Sequence, residues 1–160
     1  MKWNPASDPV LCALPEVAGH RVLGDCLIYS LLGRGGMGSV FKAVHLKLEA
    51  DVAVKCMRTD LGSGSAAQAG MRERFLREAR FGAAITHQNL VAVKEVGSAY
   101  GIDYFVLEFV RGENAWERLA RKKALSVAEA VGIIRFAALG LAEVHRRTDD
   151  TGAPCVHRDV

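Results

Sequence analysis

A dense cluster of glycines is the first feature of this sequence that could do chemistry. Residues 33–40 read Gly-Arg-Gly-Gly-Met-Gly-Ser-Val and satisfy the pattern GxGxxGxV. Glycines at this density let the backbone approach phosphate oxygens closely and direct amide groups toward them. A phosphate-binding loop and an ordinary glycine-rich hairpin turn both satisfy the pattern, so the neighbouring residues have to decide between them.

The residues that follow the glycines distinguish three kinds of nucleotide site. A dinucleotide-binding fold requires a helix directly after the glycines, whereas residues 39–46 (SVFKAVHL) alternate as a strand does. A P-loop requires a Gly-Lys-Ser/Thr sequence, whereas Gly38 is followed directly by Ser39. The pattern therefore favours a loop that joins two antiparallel strands and covers phosphates as a lid.

A lysine near the end of the next strand is the second candidate. In the sequence Val-Ala-Val-Lys at 52–55, Ala53 and Lys55 lie on the same face of a strand. A small residue beside a base and a cation beside phosphates suit a nucleotide under the sheet. The alternative interpretation is an edge lysine with its head in water, but an unpaired ammonium on a valine-rich, buried strand is costly.

A helix predicted from about Met71 to Ala84 offers a partner for that lysine. At helical spacing Glu78 shares the apolar face with Phe75, whereas Glu73 falls on the opposite side. A carboxylate on the buried face requires a cation, and we therefore expect Glu78 to pair with Lys55.

The remaining elements follow from hydrophobic periodicity and turn residues. Strand patterns occupy residues 27–32, 39–46, 51–57, 89–97 and 103–110. Helices are predicted over residues 71–84, 113–122 and 126–146, the last beginning with a Ser126/Glu129 capping box. Residues 61–70 (LGSGSAAQAG) are predicted to be a mobile linker. Short connections between strands favour antiparallel pairing, and the order of elements indicates an α+β fold.

Composition excludes several classes of protein. Half of the 160 residues are hydrophobic and the net charge is only +3, so disorder does not describe the chain. No apolar run reaches 18 residues, and the first 20 residues lack the apolar centre of a secretory signal, so we expect no membrane segment. Four cysteines without paired or metal-ligand spacing predict reduced thiols in a cytoplasmic protein. Mixed charges along the chain predict no nucleic-acid partner.

The C-terminal residues complete an ordered set of motifs. Residues 156–160 read Val-His-Arg-Asp-Val, and this tripeptide HRD follows the glycine cluster, the strand lysine and the helix glutamate. With these motifs in this order, residues 22–160 resemble the serine/threonine protein kinases, and the motif sequences are most similar to those of the bacterial, eukaryotic-like type. The resemblance implies a kinase-like small lobe, with a five-stranded antiparallel sheet and one helix, followed by the first helices of an incomplete C-lobe. It divides the chain into a flexible extension (1–21), an N-lobe with hinge (22–110) and the start of a C-lobe (111–160).

The resemblance also implies ATP-dependent phosphorylation of serine or threonine on proteins, with a role for each site residue. The glycine-rich loop would cover the ATP phosphates, and Lys55, held by Glu78, would pair with the α- and β-phosphates. Asp159 would accept the proton of a substrate hydroxyl, and Leu107 would be the gatekeeper before the hinge. The catalytic residues expected are Asp159, Lys55 and Glu78. The nucleotide-binding residues expected are Leu32, Gly33, Arg34, Gly35, Gly36, Met37, Gly38, Ser39, Val40, Ala53, Lys55, Leu107, Glu108 and Val110.

The sequence departs from the family pattern at its end. The chain stops one residue after Asp159 and holds neither the metal-binding asparagine nor the DFG aspartate and activation segment of the family. Mg²⁺ is expected for the family, but its protein ligands are missing from this chain, so we expect no metal site and little activity of the chain alone. The alternative is a non-catalytic remnant that binds nucleotide or a partner. An exposed C-lobe face is expected to bind another chain or to aggregate.

Overall fold

The computed structural model describes residues 3–36, 38–57, 66–148, 152 and 155. The chain divides into two units, and each is described by itself. The first unit contains residues 1–84 and 92–109, and the second contains residues 85–91 and 110–160.

An antiparallel sheet forms the body of the first unit. Its seven strands within the described residues are β1 (Glu16–Val17), β2 (His20–Leu23), β3 (Cys26–Arg34), β4 (Gly38–His45), β5 (Ala50–Met57), β6 (Val93–Ala99) and β7 (Ile102–Glu108). Their order across the sheet is β1-β2-β3-β4-β5-β7-β6, and each neighbouring pair is antiparallel. The five predicted strands are therefore confirmed as β3 to β7, and two short strands extend the sheet beyond β3.

Two tight turns explain hairpins at opposite ends of this sheet. Between β6 and β7, Tyr100 and Gly101 have φ angles of 54° and 76°. Between β1 and β2, Ala18 and Gly19 have φ angles of 51° and 78°. Positive φ at both central residues is the requirement of a type I′ turn, whose twist matches that of the flanking strands.

One face of the sheet is covered by the N-terminal residues. Val10, Leu11 and Leu14 are buried in the same cluster as Phe41, and the rings of Trp3 and Phe41 are 5.9 Å apart. This packing differs from the flexible extension predicted over residues 1–21. Prolines alone suggested an irregular segment, but the apolar face of the strands requires a cover, and the leucines of this segment supply it.

A single long helix packs on the opposite face. Helix α1 (Ala66–Ala83) buries Phe75 against Phe105, with ring centroids 4.9 Å apart. A Cβ on Gly82 would lie 2.7 Å from a methyl group of Val93, so glycine permits the close approach of helix and strand. The helix begins before Met71, and residues 66–70, predicted to be part of a mobile linker, form its first turn. Residues 61–65 lie outside the described residues.

The second unit contains two capped helices. Helix α2 (Ala115–Lys122) begins with a capping box between Asn114 and Glu117, and α3 (Val127–His145) begins with the predicted box between Ser126 and Glu129. The α3 surface carries exposed apolar side chains, which include Val127, Val131, Ile134, Phe136 and Leu139. The expectation of an exposed apolar helix face is confirmed for this unit. None of the described helices combines the length and the apolar character that crossing a membrane requires.

Candidate nucleotide-binding site

Lys55 and Glu78 form the centre of the candidate site. Nζ of Lys55 on β5 donates a hydrogen bond to Oε1 of Glu78 on α1 at 2.5 Å. The side chains are 23% and 44% exposed, so the ammonium has a fixed partner and still reaches the surface of the first unit. This hydrogen bond confirms the predicted pairing of Lys55 with Glu78. Phe75 and Ala79 are buried on the adjoining face of the helix, and their packing directs Glu78 toward the strand.

The register of the sheet places two further candidate residues, Val40 and Gly33, in one row with Lys55. Val40 on β4 and Phe105 on β7 are the direct cross-strand partners of Lys55, and Gly33 on β3 is the partner of Val40. Directly paired residues share a face of the sheet. Nζ of Lys55 also lies 5.4 Å from the ring centroid of Phe105, a distance at which the ring attracts the cation. The row therefore runs from the glycine-rich loop to the lysine on the α1 side of the sheet.

A second row on the same face carries the residues expected around a base. Ala53, which is nearly buried, pairs with Leu107 on one side and with Lys42 on the other. The small side chain of Ala53 leaves room above the strand between those two longer ones. The ammonium of Lys42 is itself engaged, 3.4 Å from Asp51 and 4.8 Å from the ring centroid of Phe109.

The glycine-rich loop forms a tight hairpin. The amide of Gly35 donates to the carbonyl oxygen of Gly38 at 2.8 Å and closes the turn between β3 and β4. A Cβ on Gly38 would lie 2.0 Å from the carbonyl oxygen of Cys56, so only glycine fits against β5. At Gly33, Gly35 and Gly36 nothing lies within 4 Å of the place where a Cβ would stand. Met37 lies outside the described residues.

Two residues of the loop direct their side chains away from this face. Arg34 and Ser39 are cross-strand partners, and Ser39 pairs in turn with Cys56, which is buried in the cluster under the N-terminal residues. The side chains of Arg34 and Ser39 therefore lie on the face of the sheet opposite Lys55. Leu32 lies at an irregularity in the β3–β4 pairing and is 49% exposed.

The remaining predicted site residues lie around the end of β7 or outside the described residues. The backbone amide of Glu108 donates to the carbonyl oxygen of Ala92 at 2.9 Å within the first unit. Val110 is exposed and is the first residue of the second unit after the strand. Asp159 lies outside the described residues. The described residues include no cluster of three or more histidine, cysteine or acidic side chains suited to a metal ion.

An ion pair that the sequence does not indicate fixes the helix that carries Glu78. Arg72 of α1 donates through Nε and Nη2 to both carboxylate oxygens of Asp103 on β7, at 2.5 and 3.1 Å. Asp103 is almost fully buried, and its hydrogen bonding, followed by its charge, raises the pKa of the Arg72 guanidinium above the usual value. The one signal in the sequence is an aspartate at the start of an otherwise apolar strand.

The fold and the site together define a lobe of the protein-kinase type: an antiparallel sheet, a glycine-rich hairpin, and one helix whose glutamate holds a strand lysine. The chain belongs to the protein kinase family, because residues 27–160 match the family described as "Protein kinase domain". This match and the solved structures below confirm the predicted resemblance to the serine/threonine protein kinases and the predicted fold class.

Its relatives include several bacterial serine/threonine protein kinases. The chain is 34% identical over 141 residues to the probable serine/threonine-protein kinase pknA2 of Bifidobacterium longum, covering 88% of this chain and 18% of that protein. It is 30% identical over 142 residues to PrkC of Bacillus subtilis, covering 89% of this chain and 20% of that protein. The chain therefore spans about a fifth of the length of these relatives.

A solved kinase domain has a similar fold. The PknI kinase domain of Mycobacterium tuberculosis superposes with a TM-score of 0.71 at 25% identity, covering 91% of this chain and 55% of that chain. The chain thus corresponds to about half of a kinase domain.

Proposed function

We propose that this chain provides the ATP-holding part of a serine/threonine protein kinase that phosphorylates serine or threonine on proteins. The observation that supports this proposal best is the hydrogen bond between Lys55 and Glu78 on the face shared with the glycine-rich loop. Family membership implies ATP and a protein substrate, and Mg²⁺ is the typical metal of the family.

In this proposal the phosphates of ATP contact the loop and the lysine. The Gly35 amide closes the turn, the exposed backbone of the glycine-rich loop around Gly36 offers further amides to the phosphate oxygens, and the ammonium of Lys55 pairs with the α- and β-phosphates. Glu78 holds that ammonium in position, so less conformational entropy is lost when ATP binds. ATP supplies the γ-phosphoryl group, and Asp159 accepts the proton of the substrate hydroxyl.

In this proposal the base of ATP lies against Ala53 and Leu107 of the second row and against Val40 of the first row. Leu32, Val40 and Leu107 provide apolar contact, and Ala53 leaves room for the ring. The backbone of Glu108 and Val110 forms hydrogen bonds with the edge of adenine.

Nucleotide binding without transfer is the second candidate function. It is favoured by the placement of Lys55, Glu78 and the described glycines within the first unit, while the chain corresponds to about half of a solved kinase domain. In that case ATP binding persists and phosphoryl transfer is not observed.

The shift in melting temperature on adding ATP and Mg²⁺ tests the proposal, and a phosphoryl-transfer assay on the same samples shows whether this chain only holds ATP, as expected, or also transfers the phosphoryl group. We expect ATP to stabilise the wild-type chain and not the Lys55→Met variant. Lys47→Met is the matched control, because Lys47 is 74% exposed in the turn after β4 and pairs only with Asp25 among the described contacts. Equal ATP shifts for wild type and Lys55→Met contradict the proposal.

A further inference from the structure

The N-terminal residues contact the glycine-rich loop on the face of the sheet opposite Lys55. We call residues 3–14, which cover the sheet on the face opposite Lys55, the N-terminal cap. Within it, the carboxylate of Asp8 accepts hydrogen bonds from Nη2 of Arg34 at 2.6 Å, from Nε1 of Trp3 at 3.0 Å and from the amide of Val10 at 3.0 Å. One of these donors, Arg34, is the last residue of β3 and belongs to the glycine-rich cluster at residues 33–40.

The Asp8 carboxylate is buried and depends on these donors. Its side chain is 0% exposed, whereas that of Arg34 is 44% exposed. A buried carboxylate is costly unless it is paired and hydrogen-bonded, so Arg34 compensates the charge that the cap brings onto the sheet. Burial, and after it the charge of Asp8, raises the pKa of the Cys56 thiol on β5.

A restraint on the side chain of Arg34 affects the whole glycine-rich loop. Arg34 lies between Gly33 and Gly35, and its cross-strand partner Ser39 follows Gly38. Glycines carry little conformational preference of their own, so the loop depends on contacts elsewhere to hold one shape. The side chain of Arg34 reaches the cap, while the neighbouring Gly33 belongs to the row that contains Lys55.

We propose that Asp8, acting through Arg34, is a positioning residue that holds the glycine-rich loop in the shape that binds nucleotide phosphates. This inference rests on the proposed function of the loop as an ATP-binding element. Because the cap lies on the other face of the sheet, Asp8 acts on the phosphate-binding backbone without touching the ligand. Loss of the Asp8–Arg34 pair therefore weakens the binding of ATP, which has phosphates, more than the binding of adenosine, which has none.

The test compares the full chain with Asp8→Asn, Arg34→Met and the double variant. We expect Asp8→Asn to raise the Kd of ATP about fivefold or more and to leave the Kd of adenosine within about twofold. Because both substitutions break the same interaction, the double variant should weaken ATP binding no more than the stronger single variant does. Glu16→Gln is the matched control, since it removes the 3.8 Å ion pair with Arg21, which does not reach the loop.

A second measurement, without nucleotide, separates this inference from the proposed function. Amide hydrogen exchange of Gly35, whose amide closes the loop, should become faster in Asp8→Asn while the amides of β7 keep their protection. Equal weakening of ATP and adenosine, or unchanged exchange at Gly35, shows that Asp8 only stabilises the fold and overturns the inference. Failure of the wild type to bind ATP contradicts the proposed function, and the exchange result still decides whether Asp8 holds the loop.

Discussion

The ammonium of Lys55 and the carboxylate of Glu78 meet 2.5 Å apart, although 22 residues separate them in the sequence. The strand fixes the lysine through its partners on β4 and β7, and the helix fixes the glutamate through Phe75. Because both side chains are partly exposed, the pair contributes little to stability, and its importance lies in the position that it gives the cation.

Replacement of Gly38 by alanine should distort the loop and destabilise the first unit. The new Cβ would lie 2.0 Å from the carbonyl oxygen of Cys56, which belongs to a buried strand and has no room to move away. We expect a loss of about 1–3 kcal/mol in the free energy of unfolding, measured by urea titration. Gly36→Ala is the control, because nothing lies within 4 Å of its added Cβ. A loss in Gly36→Ala as large as that in Gly38→Ala would contradict this explanation.

Replacement of Asp103 by asparagine should loosen helix α1. The variant keeps the shape of the side chain and removes the charge that holds the fork of Arg72. We expect a lower melting temperature and faster amide exchange in α1, together with weaker ATP binding, because Glu78 is carried by the same helix. Asp25→Asn, which removes the exposed pair with Lys47, should change none of the three. Unchanged exchange in α1 would show that Arg72 and Asp103 do not anchor the helix.

The first unit shows what sequence patterns can and cannot predict. The hairpins and the orientation of Glu78 follow from local spacing, because alternation and helical periodicity decide which side chains share a face. The partners of Asp8 and Asp103 do not follow, since they lie 26 and 31 residues away and are chosen by packing. The packing of the N-terminal cap does not follow from the sequence for the same reason. Its prolines indicate irregular backbone, and irregular backbone can still bury leucines against a sheet.

The second unit should lose stability in acid through Glu129. Hydrogen bonds from Lys122, then from Arg118 and Ser126, hold the pKa of this carboxyl far below its usual range. A lowered pKa in the folded state stabilises the fold above the ordinary value of about 4.5, and this contribution is lost as the pH falls below it. The melting temperature of the wild type should therefore fall between pH 5 and pH 3, since the unfolded carboxyl takes up its proton there.

Glu129→Gln should remove the part of this acid dependence that belongs to the carboxyl. At pH 7 the variant should melt at a lower temperature than the wild type, and the difference should shrink as the pH falls. Glu16→Gln, whose partner Arg21 is 3.8 Å away, serves as the control. A difference between wild type and Glu129→Gln that stays constant from pH 7 to pH 3 would contradict the assignment.

The Kd of ATP in a double-mutant cycle of Lys55→Met and Glu78→Gln tests the central claim most directly, with adenosine as the ligand without phosphates. We expect Lys55→Met to raise the Kd of ATP about tenfold or more, the factor for one charge-assisted hydrogen bond, and to leave adenosine binding unchanged. Glu78→Gln should have a smaller effect, and the double variant should match Lys55→Met, because Glu78 acts only through the lysine. An unchanged Kd of ATP in Lys55→Met, or equal weakening of ATP and adenosine, would contradict a site in which this lysine holds the phosphates.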